Sequence, residues 1–244
     1  MIGFSKQYQL LSKLLERVYD FTCCYKSTIL LYKCGAFVTH GAFAMEQTEE
    51  DKILALFHSH KVIRSSDLEK YGCSRQALKR LVDKGRVSQI GRGLYRQDDA
   101  EVTEHATVVE VCKAFPQGVL CLVSALYFYH LSTQIPHDVW MAVKAGKRVY
   151  RTDLPVQFFR FSGSAFTEGV ESHTIEGVEV RVYCPAKTVA DCFKFRNTIG
   201  LDVALEALQE CLKAKHCTID DLWRYARICR VTNVMKPYME AYTQ

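Results

Sequence analysis

Basic and amide side chains recur at helical spacing just after Ser74. Ser74 is a good N-cap, and it predicts a helix that runs to about Asp83. Apolar residues fall on one side of this helix: Ala77, Leu78, Leu81 and Val82. Polar residues fall on the other side: Arg75, Gln76, Lys79, Arg80 and Asp83. Arginine can bond guanine and glutamine can bond adenine through two hydrogen bonds, so the polar side carries groups that read base edges in a major groove. Any solvated amphipathic helix divides in this way, so the helix alone does not identify a DNA-binding protein.

A short basic hairpin is predicted to follow the helix. Residues 86–90 and 94–96 alternate as strands around Gly91-Arg92-Gly93, where glycine allows a tight turn and Arg92 stands at the tip. A cationic tip can contact phosphates or enter a narrow minor groove. We therefore predict that double-stranded DNA binds here, through eight residues: Ser74, Arg75, Gln76, Lys79, Arg80, Arg86, Arg92 and Arg96. In this hypothesis bases are read by Arg75, Gln76 and Lys79, and phosphates are held by Arg80, Arg86, Arg92 and Arg96.

Two upstream helices are predicted to position these groups. The first places Ile53, Leu54, Leu56 and Phe57 at helical spacing behind an acidic first turn. The second is short, with Ser66 as its cap and Glu69 completing a capping box. It ends at Gly72, which can adopt a left-handed conformation. Helix, helix-turn-helix and basic hairpin together predict a winged helix-turn-helix domain over residues 46–97. A winged helix that serves only as a protein-interaction module is an alternative.

The net charge of +5 is distributed unevenly along the chain. Residues 60–96 carry ten Lys and Arg against three Asp and Glu, whereas residues 97–244 carry 16 against 18. Local positive charge is what a phosphate-binding surface requires, although a solvated basic face would have the same composition. The charge therefore favours a nucleic-acid partner for the short basic segment and not for the rest of the chain.

Residues 101–244 mix helical and strand patterns. Helices are predicted at residues 102–113, 119–131, 185–195, 201–212, 219–229 and 234–242. Strands are predicted at residues 139–144, 156–161, 172–175 and 178–183. The predicted fold class is α+β, with an N-terminal winged helix-turn-helix domain, a link at residues 97–101 and a larger mixed α/β C-terminal domain. Residues 1–45 are interpreted as an N-terminal extension of unknown role, and Met45 is a plausible alternative start.

Patterns that could support catalysis are weak. A nuclease needs acidic residues near a lysine, but Asp138 leads to Lys144 with Ala142 where a second carboxylate would be wanted. Residues 144–147, Lys-Ala-Gly-Lys, resemble a phosphate-binding loop only superficially. No nucleophile elbow surrounds Ser124, which is expected to pack in a helix. Lys187 and Asp191 are expected to form an ion pair on a helix surface. We therefore expect no catalytic residue and no cofactor, with a nucleic-acid-processing enzyme that uses a winged helix for targeting as the alternative.

Eleven cysteines occur in the chain, with no Cys-x-x-Cys pair, which argues against a structural zinc site. Cys112, Cys121 and Cys192 lie in apolar runs and are expected to be small buried hydrophobic residues, as in a reducing cytosol. No apolar run is long enough and free enough of charge to predict a membrane span. We expect a cytoplasmic protein without a bound metal.

The stretch from Ile53 to Tyr95, together with Arg96, resembles the N-terminal domain of AbiEi-type antitoxins, the transcriptional regulators of type IV toxin–antitoxin systems. Residues 122–126, 133–136 and 185–191 resemble later parts of the same family. The resemblance covers about residues 46–240. It implies a two-domain bacterial antitoxin that represses its own operon by binding inverted repeats in the promoter. It also implies a nucleotidyltransferase-like toxin as the functional partner, with direct contact left open, and an antitoxin role for the C-terminal domain.

Overall fold

A computed structural model describes residues 47–98 and 103–242 of the chain. The N-terminal elements are α1 (Glu49–Ser59), β1 (Val62–Arg64), a 3₁₀ helix (Leu68–Tyr71), α2 (Arg75–Asp83), β2 (Val87–Gly91) and β3 (Leu94–Gln97). They are followed by α3 (Ala106–Ala114), β4 (Val119–Leu120), α4 (Leu122–Phe128), β5 (Val139–Lys144), β6 (Val156–Phe161), α5 (Ser164–Thr167), β7 (Val170–Ile175) and β8 (Val178–Tyr183). The remaining helices are α6 (Pro185–Lys194), α7 (Arg196–Ile199), α8 (Leu201–Lys213), α9 (Ile219–Cys229) and α10 (Thr232–Glu240). The predicted extension at residues 1–45, the alternative start at Met45 and the end of the predicted link lie outside the described residues.

The first sheet is antiparallel, with strand order β1-β3-β2 and Val62 opposite Arg96. Successive side chains of a strand point to opposite faces, so each face of this sheet has its own apolar set. Ile63, Val87 and Tyr95 pack with the buried side of α1 and α2. Val62 and Leu94 pack with α3 and the second sheet. The first sheet is therefore covered by helices on both faces. β1, which no sequence pattern predicted, forms one edge of it.

Capping side chains start the helices of this N-terminal part. Thr48 and Asp51 form a capping box at α1, in keeping with the predicted acidic first turn. The predicted capping box of Ser66 and Glu69 is wrong. The second helix is a 3₁₀ helix with Asp67 at its N-cap and no side-chain capping bond. The Asp67 carboxylate instead pairs with Lys113 of α3 at 2.8 Å and with Lys70 at 3.7 Å.

The second sheet is mixed, with strand order β6-β5-β4-β8-β7. β5 with β6 and β4 with β8 are parallel, and the other two pairs are antiparallel. The helix predicted from Val119 to Leu131 is wrong at its start, because Val119 and Leu120 form β4 and pair with β5. A short buried strand and a buried helix have the same apolar pattern, so periodicity could not separate them. The strands predicted at residues 139–144 and 156–161 are confirmed.

The C-terminal helices surround α6, which packs against α4, α8, α9 and α10. As a result α6 is buried from Pro185 to Phe193. The predicted surface position of Lys187 and Asp191 is therefore wrong. Both side chains are 0% exposed, and Nζ lies 2.5 Å from Oδ2. The i, i+4 spacing predicted the pair correctly, but a helix enclosed on several sides leaves no solvated face for it.

The predicted burial of Cys112, Cys121 and Cys192 is confirmed. Burial raises the pKa of the Cys112 thiol to about 12, which keeps it protonated and unreactive. The sulfur atoms of Cys211 and Cys217 lie next to each other, a contact that the sequence spacing did not predict. None of the helices within residues 47–98 and 103–242 combines the length and the apolar composition needed to span a membrane.

Candidate nucleic-acid interface

The outer side of α2 carries four exposed polar residues: Arg75, Gln76, Lys79 and Arg80. The inner side is buried through Ala77, Leu78 and Leu81, which pack on α1 and the first sheet. Packing therefore fixes the rotation of the helix about its axis and directs the polar side outward. The predicted division of this helix is confirmed residue by residue, apart from Val82, which is half-buried.

Ser74 holds the start of α2 in place. Its hydroxyl oxygen accepts a hydrogen bond from the Ala77 N–H at 3.2 Å, and its hydroxyl donates to Glu49 at 2.5 Å. The hydrogen bonds from Ser74 lower the pKa of Glu49, with the side-chain bond as the largest cause. The Ser74 hydroxyl proton is thus used within the protein. The structure gives Ser74 a positioning role and no free donor directed to solvent.

Several cations on α2 have carboxylate partners at the surface. Arg75 pairs with Glu69 at 3.2 Å, with side chains 68% and 74% exposed. Arg80 lies 3.2 Å from Glu50, whose other oxygen pairs with Lys84. The exposed Arg75–Glu69 pair contributes only about 0.2–1 kcal/mol, so a group on DNA can replace its carboxylate at small cost. Glu50 is only 21% exposed, so its pair with Arg80 is better shielded. Gln76 and Lys79 form no ion pair and no side-chain hydrogen bond with the described part of the chain. Their side chains are exposed, and no protein group has to be displaced before they bind a ligand.

The hairpin of β2 and β3 presents Arg92 at its exposed tip. Gly93 has φ +69°, so a residue with a Cβ would be strained there, whereas Gly91 lies in the strand without a positive φ. The Ser65 N–H donates to the Gly93 carbonyl oxygen at 2.9 Å, which ties the tip to the segment after β1. Arg86, just before β2, is also exposed. The backbone at the hairpin tip is therefore held in place, and it carries the exposed Arg92 side chain.

Arg96 lies on the other face of the first sheet. It shares that face with Leu94, and its guanidinium pairs with Glu110 of α3 at 2.7 Å. The Arg96 and Glu110 side chains are 36% and 12% exposed, so this pair is better shielded from water than those on α2. The structure does not bring Arg96 to the outer side of α2. Alternation along β3 was the available sequence signal, because Leu94 and Arg96 must point the same way.

Two further polar contacts join β1 and the 3₁₀ helix to α3. The Arg64 guanidinium donates to the Ala114 carbonyl oxygen at 2.9 Å, and Lys113 pairs with Asp67. The sequence patterns did not indicate either contact, since the two partners lie about fifty residues apart in the chain.

In residues 47–98 and 103–242, no three His, Cys, Asp or Glu side chains are grouped to hold a metal ion.

The structure is thus a mixed α/β protein with two sheets, whose N-terminal part exposes a basic helix and a basic hairpin. Residues 51–96 match the family model described as "Transcriptional regulator, AbiEi antitoxin". The match confirms the predicted resemblance over this part of the chain.

The fold is similar to the crystal structure of the RV2827C protein from Mycobacterium tuberculosis. The TM-score is 0.52 at 13% sequence identity, over 72% of this chain and 70% of that chain. At this identity the similarity concerns the fold alone. The comparison with curated proteins found no match.

Proposed function

We propose that this protein is a DNA-binding transcriptional repressor and the antitoxin of a type IV toxin–antitoxin system. One observation carries the proposal: the family match spans residues 51–96, the same segment that exposes the basic helix and the basic hairpin. Under this proposal residues 46–97 form a winged helix-turn-helix, with α2 as the recognition helix and the β2–β3 hairpin as the wing.

In this proposal the first turns of α2 enter a major groove. Arg75, Gln76 and Lys79 lie on the exposed side of those turns, where a recognition helix contacts base edges. A bidentate contact to the correct base is worth about 1–3 kcal/mol of discrimination. That exceeds the contribution of about 0.2–1 kcal/mol from an exposed pair such as Arg75–Glu69. The ion pair is therefore compatible with base reading by Arg75.

Phosphate contacts are assigned to Arg80, Arg86 and Arg92. Arg92 is the strongest of these candidates, because it stands at a positioned hairpin tip and has no ion-pair partner among the described residues. Arg96 is removed from the set, since leaving Glu110 would break a partly shielded pair between β3 and α3. Glu49 and Glu50 lie beside α2 and repel DNA phosphates. This repulsion weakens binding to DNA sequences that do not form the specific base contacts.

The remaining parts of the proposal are what the resemblance to AbiEi-type antitoxins implies. The DNA is the protein's own promoter, bound at inverted repeats, and the functional partner is a nucleotidyltransferase-like toxin. We assign the antitoxin role to residues 101–244 without naming individual residues. The protein acts in the cytoplasm, at the nucleoid when it is bound to DNA. No catalytic step is assigned to the chain.

The test is a titration of the full chain against promoter DNA and a scrambled duplex at two salt concentrations. We expect preference for the promoter. Arg92→Ala should weaken binding to both duplexes and reduce the salt slope by about 0.9. Gln76→Ala should reduce the preference by about 1–3 kcal/mol at one base pair. The matched control is Arg227→Ala, which removes an exposed arginine from α9 and should bind as the parent does.

Equal, weak binding of the parent to both duplexes would refute the repressor assignment. Absence of binding even at low salt would instead favour a protein-interaction module with a basic surface. Metal-dependent cleavage of the duplexes by the full chain would favour the enzymatic alternative. Parent-like binding by both Arg92→Ala and Gln76→Ala would leave the function standing and refute the assigned residues.

A further inference from the structure

A basic pocket lies where β1 meets the turn after α3 and the segment after β5. We define it by Arg64, residues 114–118, residues 143–144, residues 147–150 and Phe166. Its volume is about 240 Å³. Pockets that enclose drug-sized molecules have volumes of roughly 300–1,000 Å³, so this cavity can enclose only part of such a ligand, and the rest of the ligand must lie along the exposed cationic turn beside it. A DNA duplex is too wide to enter it.

Four cationic residues line the basic pocket and no carboxylate does: Arg64, Lys144, Lys147 and Arg148. Lys144 at the end of β5, and Lys147 and Arg148 after it, are exposed and form no ion pair with any described residue. The clustering of these three cations does not reflect an excess of basic residues in this part of the chain, because residues 97–244 carry 16 Lys and Arg against 18 Asp and Glu. Like charges held together without counter-charges repel one another, and a bound anion relieves that repulsion.

Aromatic rings form an apolar wall of the same pocket. The lining rings of Phe115 and Tyr150 are stacked with centroids 5.1 Å apart. Phe158 does not line the pocket and supports Phe115 through an edge-on contact at 4.9 Å. The Tyr150 hydroxyl donates to the Ala114 carbonyl oxygen at 3.0 Å, which fixes the ring although the residue is 45% exposed. An exposed ring held in this way offers a stacking surface for a planar ligand.

The cationic turn is held by backbone contacts. The Lys147 N–H donates to the Lys144 carbonyl oxygen at 3.1 Å, and the Arg160 guanidinium donates to the Lys147 carbonyl oxygen at 3.2 Å. Gly146, with φ +81°, allows the turn. No helix begins after this turn before β6, so the segment is not a phosphate-binding loop of the strand–loop–helix type. The cations reach the pocket from a positioned turn, which lowers the entropy cost of binding.

We propose that the basic pocket binds a nucleoside phosphate. The phosphates contact Lys144, Lys147 and Arg148, and the base packs against Tyr150 and Phe115. This ligand supplies both properties that the pocket requires, an anionic group and a planar aromatic ring. The site is distinct from the proposed DNA surface, which lies on α2 and the hairpin.

The experiment is calorimetric titration of the full chain with ADP, adenosine and inorganic phosphate. We expect ADP to bind more tightly than either adenosine or phosphate. Lys147→Ala and Arg148→Ala should each weaken ADP binding about tenfold, because each removes a charge-assisted contact from an exposed position. Tyr150→Phe keeps the ring but loses the hydrogen bond that fixes it, so it should bind ADP more weakly than the parent and more tightly than Tyr150→Ala, which should lose binding. Arg227→Ala, an exposed arginine of α9, is the control and should bind ADP as the parent does.

Absence of ADP binding by the parent would overturn the proposal, as would unchanged ADP affinity in both Lys147→Ala and Arg148→Ala. Equal affinity for phosphate and ADP would overturn the role of the aromatic wall and with it the nucleotide assignment. The same variants are also titrated with promoter DNA. Parent-like DNA binding by Lys147→Ala supports a separate ligand site. Parallel loss of DNA and ADP binding would assign these cations to the DNA surface and refute the proposal. These results do not depend on the repressor function, which Arg92→Ala tests separately.

Discussion

The buried ion pair of α6 allows a quantitative prediction for Lys187→Met. The Lys187 ammonium lies 2.5 Å from Asp191 Oδ2 and 4.1 Å from the centre of the Tyr183 ring. The other Asp191 oxygen accepts a hydrogen bond from the Cys229 thiol at 3.2 Å. Both charged side chains are 0% exposed. Methionine has a similar length and no charge, so the substitution removes the counter-charge of Asp191 with little loss of packing.

The cost follows from the protonation of Asp191. Burial raises the pKa of this carboxyl, and the Lys187 charge and hydrogen bond oppose the shift. Without Lys187 the carboxyl must fold in its neutral form. Holding an ordinary aspartate, with a pKa of about 3.9, protonated at pH 7 costs about 4 kcal/mol at 1.36 kcal/mol per pH unit. This agrees with the roughly 3–5 kcal/mol lost when one partner of a buried pair is removed.

The destabilisation should depend on pH. In the variant the folded-state pKa of Asp191 lies above its unfolded value, so the folded state binds more protons than the unfolded state between the two values. The free energy of unfolding therefore falls as pH rises through this window and recovers as pH falls. Between pH 7 and pH 5 the variant should regain up to about 2.7 kcal/mol relative to the parent.

The assay is urea unfolding of the parent and the variant at pH 7 and pH 5. Lys213→Met is the matched control, since its exposed pair with Glu210, at 3.3 Å, should contribute at most about 1 kcal/mol. Lys187→Met combined with Asp191→Leu should recover most of the loss, because no unpaired charge stays buried. The reasoning fails if Lys187→Met costs no more than Lys213→Met, or if the loss grows as pH falls.

Three further substitutions test how the N-terminal part is held. Arg96→Ala should lower stability by about 1–3 kcal/mol, measured by urea unfolding, because Glu110 loses its partner in a half-shielded site. Its effect on promoter affinity should be small when binding is measured without urea, at a temperature well below the midpoint of thermal unfolding. Gly177→Ala should cost about 2 kcal/mol or more in thermal unfolding, because φ is +75° and a Cβ would lie 2.4 Å from the carbonyl oxygen that ends α1. Ser74→Ala should cost about 0.5–2 kcal/mol and reduce helicity by circular dichroism, through loss of the α2 cap.

Matched controls exist for each of these variants. Arg86→Ala removes an exposed arginine with no carboxylate partner among the described residues, so its stability should be unchanged while promoter binding falls. Gly146 has φ +81°, and no atom of the described residues lies within 4 Å of the carbon that Gly146→Ala adds, so this variant measures the conformational cost without a steric clash. Ser66→Ala should be neutral, because Ser66 caps no helix. Equal effects for any variant and its control would contradict the structural reason given for that variant.

The sequence predicted elements best where a strong periodic pattern had clear ends. The strand Val139–Lys144 and the helix Ile219–Cys229 were predicted with the bounds that the structure has. β1 was missed because three residues are too few for a pattern, and β4 because its two residues merge with the apolar helix that follows. β1 and β4 form because they pair with strands distant in the sequence, and the local sequence carries no information on that pairing.

The two candidate sites also differ in how far the sequence could predict them. The polar side of α2 was predictable from the sequence, because a helix carries its faces in its own periodicity. The position of Arg96 depended on which face of the first sheet α3 covers, and that is a tertiary property. The basic pocket was beyond prediction. Its cations Lys144, Lys147 and Arg148 are close in sequence, but Arg64 and Phe115 come from separate elements.

The first sheet depends on the rest of the protein for its core. Val62 and Leu94 are only 2% exposed, and they are covered by α3 and the second sheet. Burying two such side chains is worth about 1.5–3 kcal/mol each, so the elements before residue 98 would lose this stabilisation if they were separated from α3. Arg64 belongs to both parts, since it extends from β1, bonds the end of α3 and lines the basic pocket. Arg64 therefore links the basic pocket to the first sheet, whose other face packs on α1 and α2.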